Sequence, residues 1–162
     1  HAKTVDPDAK LFLNDYSHEE AGTPKAEAFY GYVKSLVEKG VPIDGVGFQL
    51  HLCTDYGLNE EKLRQNIRRF ADLGLTVSFT EIDIRMKVPA TESDAARQTE
   101  MYLTLMDVLK SEPNVDTYMV WGFNDGTSWV PGTFPGYGSA HLFDKDLKAK
   151  PVFDLVCSKL KK

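Results

Sequence analysis

Hydrophobic and polar positions along this chain switch several times between a strand-like period of two and a helix-like period near 3.6. "KLFLNDY" (10–16) reads as a strand running into a loop. "TPKAEAFYGYVKSLVEKG" (23–40) carries Phe29, Val33, Leu36 and Val37 as one apolar stripe, so it reads as a helix. Thr23 is placed to cap it, Pro24 to occupy its first position and Gly40 to stop it. "DGVGFQLHL" (44–52) is a second strand. "NEEKLRQNIRRFADLG" (59–74) is a second helix, capped by Asn59, with Leu63, Ile67 and Phe70 facing inward. "LTVSFTEIDI" (75–84) is a third strand. "TESDAARQTEMYLTLMDVLKSE" (91–112) is a third helix, whose Thr91 and Asp94 have the spacing of a capping box. "VDTYMVWGF" (115–123) is a fourth strand, a Gly/Pro/aromatic loop follows to about Lys150, and "PVFDLVCSKLKK" (151–162) closes the chain as a helix.

Strand and helix in strict alternation mean parallel strands. Right-handed crossovers between sequential neighbours put every helix on one face of the sheet. The other face would then be bare, with Val77, Phe79, Phe48 or its neighbours, and Met119 expected there, and two sheet edges would be open. A doubly wound sheet solves this by reversing strand order, and a barrel solves it by closing. A (β/α)₈ barrel takes roughly 250 residues, so 162 residues supply about half of one. The opening "HAKTVDPDAK" looks like a helix end followed by a turn, which suits a piece of a longer chain better than a mature secreted start.

The third strand holds the sharpest chemical question. In a regular strand Val77, Phe79, Glu81 and Asp83 would share one face, and Thr76, Ser78, Thr80, Ile82 and Ile84 the other. Two acids beside an apolar pair are tolerable only at an open strand end or with dedicated partners. The other strands end alike: Asn14, Asp15 and Tyr16 after the first, Gln49 and His51 after the second, Trp121 after the fourth, with Asp125 and Trp129 beyond. Polar and aromatic groups released at the same end of every strand describe the mouth of a barrel, where such folds keep their sites.

Composition removes several function classes. A net charge of −5 without a basic patch argues against a nucleic-acid partner. No apolar run is long enough to span a membrane. Cys53 and Cys157 stand far apart in sequence and default to free thiols. His18, Glu19 and Glu20 lack the spacing of metal ligands and read as solvated loop, while Lys159, Lys161 and Lys162 complement a helix C-terminus. Glu81 with His51 and Asp83 beside it can be held ionised and oriented for attack, and aromatic rings nearby suit the C–H faces of sugars. That combination suggests a retaining glycosidase, which needs a second carboxylate about 5–5.5 Å away as acid/base. Asp83, on the same strand, is poorly placed for that role, so the second carboxylate should come from another strand.

Five segments in order, "DPDAKLFLNDY", "GVPIDGVGFQLHL", "TEIDI", "WGFNDGTSW" and "PGYGSAHLFDKDLKAKPVFDLV", make the chain resemble glycoside hydrolase family 10, the endo-β-1,4-xylanases. The resemblance covers nearly the whole chain and implies strands five to eight of a TIM barrel, so that residues 1–162 form a partial catalytic domain. It implies retaining hydrolysis of xylan without a cofactor or metal, and a secreted or cell-surface location. By the same resemblance Glu81 is the nucleophile and His51 and Asp83 keep it charged. Gln49 would hydrogen-bond at the scissile sugar, Trp121 and Trp129 would line its non-reducing side, and Asn14 and Tyr16 would meet the leaving-group side. Leu50 stands where the family usually has Ser, and Asn124 and His141 are less usual. The "WDVVNE"-like motif that carries the family's acid/base is not in this sequence, so an N-terminal half is expected as partner. Two further readings are a carbohydrate-binding half-barrel that does not hydrolyse, and a metal-dependent barrel using His51, Glu81 and Asp83. The second has one well-placed histidine where such sites generally want more.

Overall fold

The computed structural model describes residues 1–161. Its sheet is parallel in the order β1 (Phe12–Asp15), β2 (Gly45–Phe48), β4 (Thr76–Lys87), with β5 (Val115–Val120) on the other side of β4. The short β3 (His51–Cys53) continues the line of β2 and pairs with the upper part of β4. After a short α1 (Ala2–Val5), the helices are α2 (Pro24–Glu38), α3 (Glu60–Ala71), α4 (Glu92–Ser111), the single turn α5 (Val130–Thr133) and α6 (Pro151–Leu160). Lys162, the last of the basic tail, lies outside the described residues.

The helix starts follow from the expected caps. Thr23 accepts from the Ala26 N–H and Asn59 from the Lys62 N–H, while Thr91 and Asp94 complete a capping box. Gly40 follows α2 in the left-handed region at φ 70°, a conformation that suits glycine. Val46, Phe48, Val77, Phe79, Ile82 and Ile84 are fully buried in one core with Val33 of α2, Leu63, Ile67 and Phe70 of α3, Leu105 of α4, and Val152 and Val156 of α6. All four long helices therefore cover one face of the sheet, as right-handed crossovers require.

Here the phase expected for β4 changes. Val77 and Phe79 face the helices, not the bare side, and so do Ile82 and Ile84 further along. A β-bulge reconciles the two. Phe79 pairs with Tyr118 and Ile82 with Val120, so three steps of β4 match two of β5. The extra residue lets the apolar side chains stay on the helix face while Thr80 and its neighbour Glu81 both point to the inner face, where each bonds Asn14. The inner face is thus lined by Phe12, Asn14, Thr76, Ser78, Thr80 and Met119, and Met119 is 53% exposed. Gly45 and Gly47 complete it at places where a Cβ would collide with Phe12 and Asn14.

Two further expectations need correction. The segment 44–52 is not one strand: it breaks at Leu50, whose φ of 62° turns the backbone so that its side chain enters the core. The long loop is also less irregular than its composition suggests. It holds a 3₁₀ turn at Asp125–Thr127, then α5, and then β6 (Tyr137–Gly138), which pairs antiparallel with Met86 and Lys87 of β4. Among the described residues β1 and β5 each have a single strand neighbour, so the sheet is an open arc. No helix is long and apolar enough to cross a membrane.

Candidate active site

The strand ends converge on an open cleft of about 660 Å³ lined by Tyr16, Gln49, His51, Glu81, Trp121 and Trp129, with Arg85 and Phe134 beside them. Glu81 reaches it because of the bulge. Its Oε1 accepts from Asn14 Nδ2 at 2.9 Å, and its Oε2 lies 3.3 Å from His51 Nε2. The other ring nitrogen of His51, Nδ1, is 3.0 Å from Asp83 Oδ2. Asp83 is fully buried behind the cleft, and the same Oδ2 accepts from Trp129 Nε1 at 2.7 Å.

The arrangement is a chain of carboxylate, imidazole and carboxylate. Burial opposes the charged form of His51, but the hydrogen bond and negative charge of Asp83, joined by Glu81, outweigh it and raise its pKa above the ordinary value. Each ring nitrogen of His51 thus faces a carboxylate, Nδ1 that of Asp83 and Nε2 that of Glu81. Among the described residues no group of three or more His, Cys, Asp or Glu side chains is placed to hold a metal ion.

The expected residues divide by position. Glu81, His51, Gln49, Tyr16, Trp121 and Trp129 line the cleft, Asn14 fastens Glu81 from the side, and Asp83 sits beneath. Trp121 is 47% exposed, whereas Trp129 packs edge-on against His51 with ring centroids 4.9 Å apart. Tyr16 carries the Lys25 ammonium 3.5 Å over its ring. Asp125 is engaged elsewhere, pairing with Lys150 at 2.6 Å and accepting the His141 backbone N–H, which ties the last loop together.

Two residues read as solvated loop are buried instead. His18 stacks on Phe29 with centroids 3.9 Å apart and meets Phe48 edge-on. Glu19 accepts the N–H groups of Ser17 and Leu50, and burial raises its pKa. Glu19 therefore holds the bend that presents Gln49 and His51, and Asn66 of α3 fixes it by donating to the His18 and Glu19 carbonyls. Nothing in the local sequence distinguishes such a buried acid from a solvated one. Arg85 was readable: it continues the Glu81–Asp83 alternation by two residues and lies 4.0 Å over the Phe134 ring.

The family model for glycosyl hydrolase family 10 matches residues 1–159. Endo-1,4-beta-xylanase B of Thermotoga neapolitana is 43% identical over 94% of this chain and 44% of its own length. Endo-1,4-beta-xylanase 5 of Pyricularia oryzae is 42% identical over 98% of this chain and 39% of its own. The crystal structure of xylanase 10B from Thermotoga maritima superposes with a TM-score of 0.93 at 43% identity, covering 99% of this chain and 49% of that one. Xylanase 10B from Thermotoga petrophila, solved in complex with xylobiose, gives 0.92 at 42% identity over 98% and 48%. The chain thus spans less than half the length of these relatives, and its open arc is half of a (β/α)₈ barrel, strands five to eight. It belongs to glycosyl hydrolase family 10.

Proposed function

We propose that this chain, completed by an N-terminal half-barrel, hydrolyses internal β-1,4-xylosidic bonds of xylan with retention of configuration. The observation that carries the reading is Glu81. It stands at the cleft, hydrogen-bonded to Asn14 and 3.3 Å from the Nε2 of His51, whose pKa is raised by its carboxylate neighbours. Glu81 attacks the anomeric carbon as the leaving sugar takes a proton from an acid/base carboxylate, giving a glycosyl ester on Glu81. Water, deprotonated by the same acid/base, then cleaves that ester. His51, braced by Asp83, orients Glu81 for that attack.

The acid/base belongs to the complementary half. Glu81 is the one carboxylate among the residues lining the cleft, and Asp83 is buried and engaged by His51 and Trp129. Gln49 serves the sugar at the scissile bond. Trp121 and Trp129 serve its non-reducing side, and Asn14 and Tyr16 the leaving-group side. Polymeric xylan does not cross a membrane, so a secreted or cell-surface location goes with this reading.

The test joins this chain to the N-terminal half of xylanase 10B from Thermotoga maritima. A 2-fluoro xylobioside should label Glu81, as located by peptide mapping. Glu81→Gln should keep xylo-oligosaccharide binding while turnover falls on the order of a thousandfold or more. A label on another residue overturns the nucleophile assignment. Tight binding without turnover in the unmutated completed barrel favours a carbohydrate-binding fragment instead.

A further inference from the structure

Asp83 is fully buried, and its two oxygens are treated very differently. Oδ2 accepts from both His51 and Trp129, while Oδ1 has no hydrogen-bond partner. An unpartnered carboxylate oxygen in an apolar interior is costly. His141 has the complementary deficit. It is 2% exposed, and neither ring nitrogen has a partner.

The backbone brings these two residues near each other. β6 runs antiparallel to β4 with Lys87 against Tyr137 and Met86 against Gly138, and the Ile84 N–H donates to the Ala140 carbonyl at 3.1 Å. Past Ser139, whose φ of 50° ends the regular ladder, the chain carries His141 to where the Asp83 charge acts on its imidazole. The imidazole is also walled in: a Cβ on Gly122 would lie 2.7 Å from its Cε1, so the ring has little room to turn away.

We infer that His141 is a positioning residue for the Asp83–His51–Glu81 chain, donating a ring N–H toward Asp83 Oδ1 across one buried water. Such a water relieves two buried polar groups at once. His141 is suited to donate as a neutral imidazole, because burial holds its pKa below the ordinary histidine value. Donation to Oδ1 stabilises the Asp83 charge and so moderates its pull on the His51 proton. Removing the donor leaves Asp83 a stronger acceptor and raises the pH at which His51 titrates.

Other charges around the pair enter any titration. Glu19 and Glu81 face His51, and Asp125 and Lys150 face His141. Tyr102 of α4 is fully buried, its hydroxyl donating to the Ala140 carbonyl, and burial keeps it protonated. Arg85 donates to the His51 carbonyl.

This inference rests on the proposed role of Glu81 for its functional meaning, but its test does not. The His51 ring is followed by NMR against pH in the completed barrel, for the unmutated protein, His141→Leu and His141→Gln. Leucine should raise the His51 midpoint by about 0.5–1 unit, and glutamine, which keeps a donor, should restore it. The upper limb of the pH–activity profile should move in step. An unchanged His51 midpoint in a folded His141→Leu protein overturns the inference, as does a crystal structure with the imidazole bonded away from Asp83. Failure of Glu81 to take the covalent label, with the His51 midpoint still moving, would overturn the nucleophile reading and leave the His141–Asp83 link standing.

Discussion

At the scale of single residues, His18 shows how a polar side chain can serve the site without entering it. Its ring is fully buried between Phe29 and Phe48, with Nε2 3.0 Å from the Asp15 carbonyl. Burial depresses its pKa to about 4 from 6.5. The unfolded chain therefore takes up a proton between these values that the folded chain refuses, and stability falls as pH drops through that window. The full loss below pH 4 is roughly 3 kcal/mol. Denaturant unfolding of the completed barrel at pH 7 and pH 4 should show it. His18→Gln keeps a donor for the Asp15 carbonyl and should shrink the difference between the two pH values by about that amount. An unchanged difference would mean that His18 protonates in the folded state with little penalty.

At the scale of elements, much of the fold was legible because its signals are local. Thr23, Asn59 and the Thr91/Asp94 pair announce helix starts through bonds within one turn, and they occupy those positions. The gathering of Asn14, Gln49, His51, Glu81 and Trp121 at one mouth also follows from strand ends alone. What escaped was non-local. The bulge at Thr80–Glu81 depends on how β4 meets β5, and it moves Val77 and Phe79 to the face opposite the acids. The burial of Glu19 depends on the Leu50 backbone 31 residues away. β6 depends on the end of β4, and its anchor is Gln98 of α4, whose Nε2 donates to the Ile84 carbonyl at 2.6 Å and the Ser139 carbonyl at 2.7 Å. Gln98→Leu should cost about 1–3 kcal/mol by orphaning the buried Ile84 carbonyl, while Lys150 still donates to the Ser139 carbonyl. Amide exchange should quicken at residues 137–141 while α3 stays protected. Equal exchange in that segment would show that β6 holds without Gln98.

At the scale of the whole molecule, the open arc decides how the chain behaves. One sheet face is roofed by four helices; the other presents Phe12 and Met119 among short polar side chains, at 36% and 53% exposure. Trp121 and Phe123 extend that exposure at the upper end of β5, and β1 and β5 carry unpaired backbone along their free edges. Exposed apolar area and open strand edges both drive association. In a closed barrel Phe12 and Met119 would lie in the interior, and the same edges would be paired. Residues 1–162 alone should therefore be oligomeric, poorly soluble or molten, with a broad thermal transition and strong binding of a hydrophobic dye. A complementary half-barrel should convert the chain to a monodisperse particle of defined mass with a cooperative transition and little dye binding. Light scattering coupled to size exclusion, with calorimetry on the same fractions, measures both states. A sharp, cooperative, monomeric transition for residues 1–162 by themselves would mean that the helix-side core suffices and that the bare face needs no partner.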